Sequence, residues 1–530
     1  MATQKIYENG LASGWKVTDA ATLSADQTVE ADVVVIGTGA GGGTTAEILA
    51  KAGLKVVMVE EGRLYYQNDF KMDELWSYSR LYQEGMSRIT ADGSIAILQG
   101  RCVGGSTTVN WTSSFRTPDE TLDYWQQRFG VKASTKDDLA GWFAGREERL
   151  SIHPWQVNPN ANNAALRDGC ERLGWDWKVI PRNVKGCWDL GYCGFGCPTN
   201  AKQGSLTTTV PGTLERGGEL YHCLRADRLL IKGDRVEGLE ASALDKDALA
   251  PTGVKVQLRA RHYVVAASAL GTPALLLRSE APDPYGRVGK RTFLHPVNAT
   301  VAEMPERVDP YYGAPQSIYS DEFVWKNGVE GEAGFKLEVP PMHPAMASGV
   351  MPFHGKTQHK EVGNLPYLQS VLALIRDGFH PDSPGGEVSL SDEGQPVLDY
   401  PVTDYLWRGL REAYMRMAEV QFAAGAKRVR LIHMDSKEYL RWPEAKQAIK
   451  EIPMELHRVR LFTAHQMGGA GMGEDPRESV VNSFGEHHQL SNLSIHDASI
   501  FPTSIGANPQ LSVYGLSARN SARLAARLKA

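Results

Sequence analysis

The sequence predicts an α/β protein, a Rossmann-like domain interleaved with an α+β domain built on an antiparallel sheet. Three observations predict it. Residues 31–36 form an apolar run without alternation, the pattern of a strand buried on both faces of a parallel sheet, and the run closes on a cluster of glycines. Arg261 to Ala267 repeat that pattern and turn into a helix at Gly271 to Pro273, as a further strand of the same sheet would. Between them, LRADRLLIKGDRVEGLEA and VKVQLRA alternate polar with apolar, which predicts a small antiparallel meander.

In chain order, the first unit is strand, glycines, helix and strand. Gly37, Gly39 and Gly42 spell G-x-G-x-x-G, TTAEILAKAG follows as a short helix ending at Gly53, and LKVVMVE is a second buried strand closing on Glu60. Glycine is needed there because a pyrophosphate has to reach the unpaired amides of the helix N-terminus, where the helix dipole favours an anion. Glu60 is placed to accept hydrogen bonds from a ribose diol and to repel a 2′-phosphate, which disfavours NADP and leaves NAD and FAD. Farther on, GEAGFKLEV and PYLQSVLALI predict strands of an antiparallel sheet. LWRGLREAYMRMAEVQFAAG and a stretch near Lys437 to Ile449 predict helices. Asn508 and Pro509 suit the cap and first position of a last helix whose Leu511, Leu516, Leu524 and Leu528 favour one face. Trp325, Phe353, His354 and Tyr367 are candidates for a pocket wall or, equally, for core.

Composition excludes several classes. Lys plus Arg number 57 against 62 Asp plus Glu, a net charge of −5 with no basic block, so nucleic acid is not an expected partner. No apolar run reaches the ~18 residues that cross a bilayer, and the first thirty residues show no export signal, so a cytoplasmic location is expected. The six cysteines are too few for a disulfide scaffold. No G-x-S-x-G elbow follows a strand, which leaves a serine hydrolase without support.

Three further segments, GRCVGGSTTVN at 100–110, VVAASALGTPALL at 264–276, and the stretch from HQMGG to DASIFPTSIGANPQLSVYG at 465–515, lie in the order and at the separations found in the glucose-methanol-choline (GMC) oxidoreductases. The chain resembles that family from about residue 31 to 527, nearest the branch of long-chain alcohol oxidases and cholesterol oxidases, because Asn precedes the Pro near the C-terminus. The resemblance selects FAD over NAD and implies that the ring faces a separate substrate domain. It implies cofactor contacts at Gly104, Gly105, Ser106, Asn110, Asp497, Ala498, Pro509 and Gln510, beside Gly37, Gly39, Gly42 and Glu60. The glycine loop can bring amides to the diphosphate or ring, and the resemblance implies that the last helix aims its N-terminus at the edge of the flavin where negative charge appears on reduction. The family's covalent attachment His is absent from Ser106 to Asn110, so the FAD is expected to be non-covalent.

Taking a hydride from an alcohol carbon also means removing the hydroxyl proton. By resemblance His465 of the H-x-x-G motif is the base and Asn508 binds the same oxygen, while the other histidines, His295, His343, His354, His359 and His380 among them, carry no motif. The expected function is FAD-dependent oxidation of an alcohol to an aldehyde or ketone, with electrons passing to oxygen or a carrier. Cys187, Cys193 and Cys197, spaced C-x5-C-x3-C, hold an alternative open: iron-sulfur ligands, as in the flavin subunit of a respiratory sugar or polyol dehydrogenase exported to the periplasm with a small subunit and feeding a cytochrome. A lyase that cleaves cyanohydrins on the same fold is a third reading. The FAD-binding domain is expected to gather residues 30–118, 218–300 and 455–530, and the substrate-binding domain 119–217 and 301–454.

Overall fold

The computed structural model describes residues 5–530. Its first large sheet runs Lys16–Asp19, Glu219–His222, Val56–Val59, Gln27–Ile36, Pro251–Val265, Arg235–Leu244, Leu224–Lys232. The first five are parallel to one another, and the last two complete the antiparallel meander. Pro251–Val265 serves both parts: residues 256–265 pair in parallel with Gln27–Ile36, and Tyr263 to Val265 also carry the short parallel strand Leu493–Ile495. Such a sheet needs cover on both faces, and the helices Ala40–Lys51 and Gln510–Lys529 pack against each other to supply part of it.

The second large sheet is ordered Ile95–Ile97, Leu461–Thr463, Val297–Glu303, Leu368–Ile375, Phe335–Glu338, Ile318–Phe323, Lys178–Val179, with Arg428–Leu431 added on Val297–Glu303. Its pairings are antiparallel except that of Leu461–Thr463 with Ile95–Ile97. The helix Asp404–Ala423 covers it, burying Tyr405, Leu406, Leu410, Tyr414 and Met417. Each large sheet has its own hydrophobic core. The predicted helices at 406–425 and near 437–449 are found at Asp404–Ala423 and Trp442–Glu451.

Three expectations are corrected. A domain boundary at residue 300 falls inside the strand Val297–Glu303; the chain passes between sheets at His295-Pro296, because Lys290–Leu294 belongs to a separate four-stranded sheet and the proline ends its ladder. The helix expected to open at Gly271 to Pro273 spans Ser268–Arg278, since Asp497 accepts from Ser268 N–H at 2.9 Å and Thr272 Oγ1 from Ala267 N–H at 3.1 Å, so side chains cap the turn earlier. The last helix begins at Gln510 with Pro509 in the capping position, and the Asn508 side chain, expected as the cap, is turned elsewhere. Among the described residues no helix is long and apolar enough to cross a membrane.

Candidate active site

A cavity of about 400 Å³ opens between the two large sheets, bounded at one end by the loop Gly37–Gly41 and at the other by Trp111, Val297 and Phe462. The glycines of that loop serve different ends. Gly37 has φ +99°, and a Cβ there would stand 2.2 Å from the Ala266 carbonyl oxygen; one on Gly42 would stand 1.9 Å from the Gly37 oxygen. Those two let strand and helix pack. Gly39 is the opposite case, because a Cβ there meets no protein atom within 4 Å. It caps the helix Ala40–Lys51 without a side-chain hydrogen bond, so the first helical amides are left to face the cavity. This is the cradle a diphosphate requires. The residues present therefore fit a dinucleotide.

Glu60 lines the same end of the cavity. Its Oε2 accepts from Thr38 Oγ1 at 2.6 Å and Thr38 N–H at 3.1 Å, and its Oε1 from Gly62 N–H at 2.9 Å. Burial pushes its carboxyl up to about 7 against the pull of these bonds. A carboxylate has about four acceptor sites, so one remains for a ribose hydroxyl. Gly104 N–H donates to Thr38 Oγ1 at 2.9 Å, which ties the second glycine loop to the first.

Most of the other expected cofactor residues position backbone. Gly105, Ser106, Asn110, Asp497, Ala498, Pro509 and Gln510 line the cavity; Gly104 stands behind it. Ser106 Oγ accepts from Gly100 N–H at 3.0 Å. Asn110 Nδ2 donates to Gln510 Oε1 at 2.7 Å, and Gln510 Nε2 donates to the Ser113 carbonyl, so the two amides clamp the loop after residue 110 onto the last helix. Buried Lys202, overlooked in the sequence, fixes the same loop by donating to the carbonyls of Thr108, Asn110 and Cys193, and burial pulls its ammonium down to about 8. Asp497 holds the turn before the helix Ser268–Arg278, with both Ser268 N–H and Thr272 Oγ1 donating to Oδ2.

His465 and Asn508 line the one cavity. Each is held by a buried partner that carries no motif. His295, buried, meets His465 Nδ1 to Nδ1 at 3.0 Å, and its Nε2 lies 3.3 Å from Gly506 N–H. An amide can only donate, so His295 Nε2 accepts and its proton sits on Nδ1, pointing at His465. His465 then accepts at Nδ1 and carries its own proton on Nε2. Burial lowers both imidazoles, His465 to about 3, so both are neutral at ordinary pH. The second partner is Glu338, a buried carboxyl on the strand Phe335–Glu338. Its Oε2 accepts from Asn508 Nδ2 at 3.2 Å and Gln316 Nε2 at 2.6 Å, while Oε1 has no partner. Burial pushes it up to about 7. The bond to Glu338 orients the Asn508 amide and leaves its Oδ1 as a buried acceptor without a partner. Charged Lys336 and Glu338 alternate with Phe335 and Leu337 in FKLE, the one signal in the sequence that this face of the strand is special.

Of the two readings left open for Trp325, Phe353, His354 and Tyr367, pocket wall or core, the first does not hold, since none of them lines the cavity. Trp325 lies against Phe379 and under Arg376, Phe353 lies under Arg430, His354 precedes the helix Gly355–Gly363, and Tyr367 is exposed. Cys187, Cys193 and Cys197 are free thiols with separate neighbours: Asp189 N–H on Cys187, Arg182 on Cys193, Thr199 on Cys197. Burial pushes the Cys187 thiol up to about 11, and the cluster reading finds no support in this arrangement.

Comparison with known proteins agrees with the geometry. The profile of the GMC oxidoreductase N-terminal domain matches residues 78–297 and that of the C-terminal domain residues 381–517. A long-chain-alcohol oxidase of Arabidopsis thaliana is 30% identical over 92% of this chain, which spans 66% of that protein's length. An uncharacterized GMC-type oxidoreductase of Mycobacterium tuberculosis is 30% identical over 93% of this chain and 76% of its own. Among solved structures, formate oxidase of Aspergillus oryzae superposes with a TM-score of 0.71 at 17% identity, covering 95% of this chain and 100% of that one. Pyridoxine 4-oxidase of Mesorbium loti does so at 0.69 and 18% identity, covering 93% and 98%.

Proposed function

The chain belongs to the GMC oxidoreductase family, and on that premise we propose that it oxidises an apolar alcohol to the aldehyde or ketone, with bound FAD as hydride acceptor and oxygen as the final acceptor. The observation that carries the reading is that neutral His465 and Asn508 both line a cavity whose wall includes Trp111, Val297, Leu372, Leu374 and Phe462. An alkyl chain suits that wall better than a sugar, whose hydroxyls would be left without partners. The plant relatives named as long-chain-alcohol oxidases support the same substrate class, and the word oxidase in their names supports oxygen.

Bound FAD would supply the acceptor, at flavin N5, for the hydride leaving the alcohol carbon. The residues that would hold it non-covalently are the amides at Gly39 to Gly41, Glu60 at the ribose, and Gly105 and Ser106 with Pro509 and Gln510 at the ring end. The chain's own work is on the substrate oxygen. In the resting tautomer His465 Nε2–H donates to the alcohol oxygen, and the hydroxyl donates to the partnerless Oδ1 of Asn508. Removal of the proton by His465 requires the other tautomer of the pair: the Nδ1 proton crosses from His295 to His465, the His465 Nε2 proton leaves to solvent, and solvent returns one to His295 Nε2, so that His465 Nε2 is free and its Nδ1–H is held by His295. The exchange leaves the Gly506 N–H facing a protonated Nε2, a buried donor without an acceptor, at a cost of roughly 1–3 kcal/mol. That lies below most of the range of roughly 10²- to 10⁴-fold that a general base contributes. His295 is thus a positioning residue.

The test is an anaerobic visible spectrum before and after adding aliphatic alcohols, sterols or sugars. Bleaching of the flavin bands by the aliphatic series, with hydrogen peroxide formed when air is readmitted, is the expected result. Flavin that no alcohol bleaches overturns the reading.

A further inference from the structure

Asp19, His222 and Cys223 place a carboxylate oxygen, an imidazole nitrogen and a sulfur all within 4.8 Å of one another. No other such group of three occurs among the described residues. The cluster lies at the edge of the first sheet, where Lys16–Asp19 pairs in parallel with Glu219–His222 and Asp19 is the register partner of His222. We propose that it is a zinc(II) site with three protein ligands, tying the segment after the first strand to the dinucleotide-binding sheet.

The spacing is that of ligands around one ion. Zinc bonds of 2.0–2.3 Å at tetrahedral angles put neighbouring ligand atoms roughly 3.3–3.8 Å apart. His222 Nδ1 stands 3.4 Å from Cys223 Sγ and 3.7 Å from Asp19 Oδ1. The backbone is bent to achieve it. Successive residues of a strand point to opposite faces, so His222 and Cys223 would diverge in a regular ladder. Cys223 instead has φ +55°, a left-handed conformation that costs energy in a residue with a Cβ, and the turn brings its sulfur round to the imidazole. Its amide and carbonyl bond Gly62 and Leu244, which fixes the kink from both sides.

The donor set suits zinc. Thiolate with imidazole selects zinc over magnesium or calcium, and three protein ligands leave a fourth position for water. Asp19 shares its carboxylate: Oδ2 bonds Arg63 at 3.0 Å, and Oδ1 accepts from Ala21 N–H at 3.1 Å, with a lone pair left over. Cys223 and His222 are buried, while the Asp19 side chain keeps 22% exposure and gives an ion its way in. On binding, the Cys223 S–H bond breaks, its proton passes to solvent, and the sulfur pair forms the Zn–S bond, with no change of oxidation state.

The test uses the purified flavoprotein, stripped with a chelator and titrated with zinc chloride alone, reading bound metal by elemental analysis after dialysis and the melting temperature alongside. The expected result is one zinc per chain, one proton released and a higher melting temperature. Cys223→Ser and Asp19→Asn should each weaken binding by about 100-fold, while Cys193→Ser, in the other cysteine group, leaves it unchanged. Should Cys223→Ser not fold, Asp19→Asn, on a partly exposed side chain, decides. Zinc uptake that Asp19→Asn does not alter, or that Cys193→Ser abolishes, or that is absent in the parent protein, overturns the proposal.

Discussion

His295 and His465 meet Nδ1 to Nδ1 at 3.0 Å, and the Gly506 amide behind His295 decides which ring carries the shared proton. The residue named by its motif is thereby governed by one that has none. The two histidines come from the connection between two sheets and from the residue before the strand Gln466–Gly468.

Replacing His465 with Ala should slow anaerobic reduction of the flavin by alcohol by roughly 10²- to 10⁴-fold while flavin content stays at the parent level. Stopped-flow absorbance measures it. An undiminished rate removes His465 from the mechanism.

His295→Ala leaves His465 without a partner at Nδ1. Flavin reduction should fall by about 10-fold, the lower end of what orienting partners contribute, and His295→Asn, which can still bond Nδ1, should recover part of the loss. Equal rates in all three proteins would reduce His295 to a packing residue.

Two pKa displacements fix the pH dependence. His465, held at about 3, stays neutral down to strongly acidic pH, so the acid limb of kcat/KM does not come from it. Glu338, pushed up to about 7 by burial, gains a proton below that pH, and its hold on the Asn508 amide weakens. Activity should therefore fall as pH drops through about 7, and Glu338→Gln should flatten the profile. The stability consequence has the opposite sense. The native carboxyl binds its proton more tightly than the unfolded chain, with its ordinary value of 4.5, so Glu338 lowers stability as pH rises from there through about 7. Buried Glu60 adds an effect of the same sign. Denaturant midpoints at pH 5 and pH 8 should differ less in Glu338→Gln than in the parent.

Gly39→Ala and Gly42→Ala separate cofactor contact from packing. The added methyl at position 39 meets no protein atom, and φ there is −65°, so the flavin-free protein should melt unchanged while flavin affinity drops by about 10-fold or more. At position 42 the methyl runs into the Gly37 carbonyl oxygen at 1.9 Å, so folding itself should suffer, seen as a lower melting temperature and little soluble protein. Full flavin retention by Gly39→Ala would mean that the diphosphate lies elsewhere.

The strand, glycine and helix unit at 27–51 was legible because its causes are local: apolar side chains for a strand buried on both faces, glycines where Cβ atoms would collide, an acid at the end of the next strand. The meander, the covering helix Asp404–Ala423 and the strands at 335–338 and 368–375 were legible for the same reason, since periodicity is a property of neighbouring residues. His465 and Asn508 were singled out through their motifs, and both line the cavity. Their controllers were not, because His295 and Glu338 each stand 170 residues from the partner they act on, and no spacing rule joins residues brought together only by sheet order. Folding also decided that Asn508 faces Glu338 rather than capping its helix, that Asp497 holds a turn, and that Trp325, Phe353, His354 and Tyr367, open between pocket and core in the sequence, lie away from the cavity. The sequence by itself determined which elements form and where glycines leave a helix N-terminus open. The tertiary structure decided protonation and orientation, because those depend on which buried donor or acceptor arrives opposite each side chain.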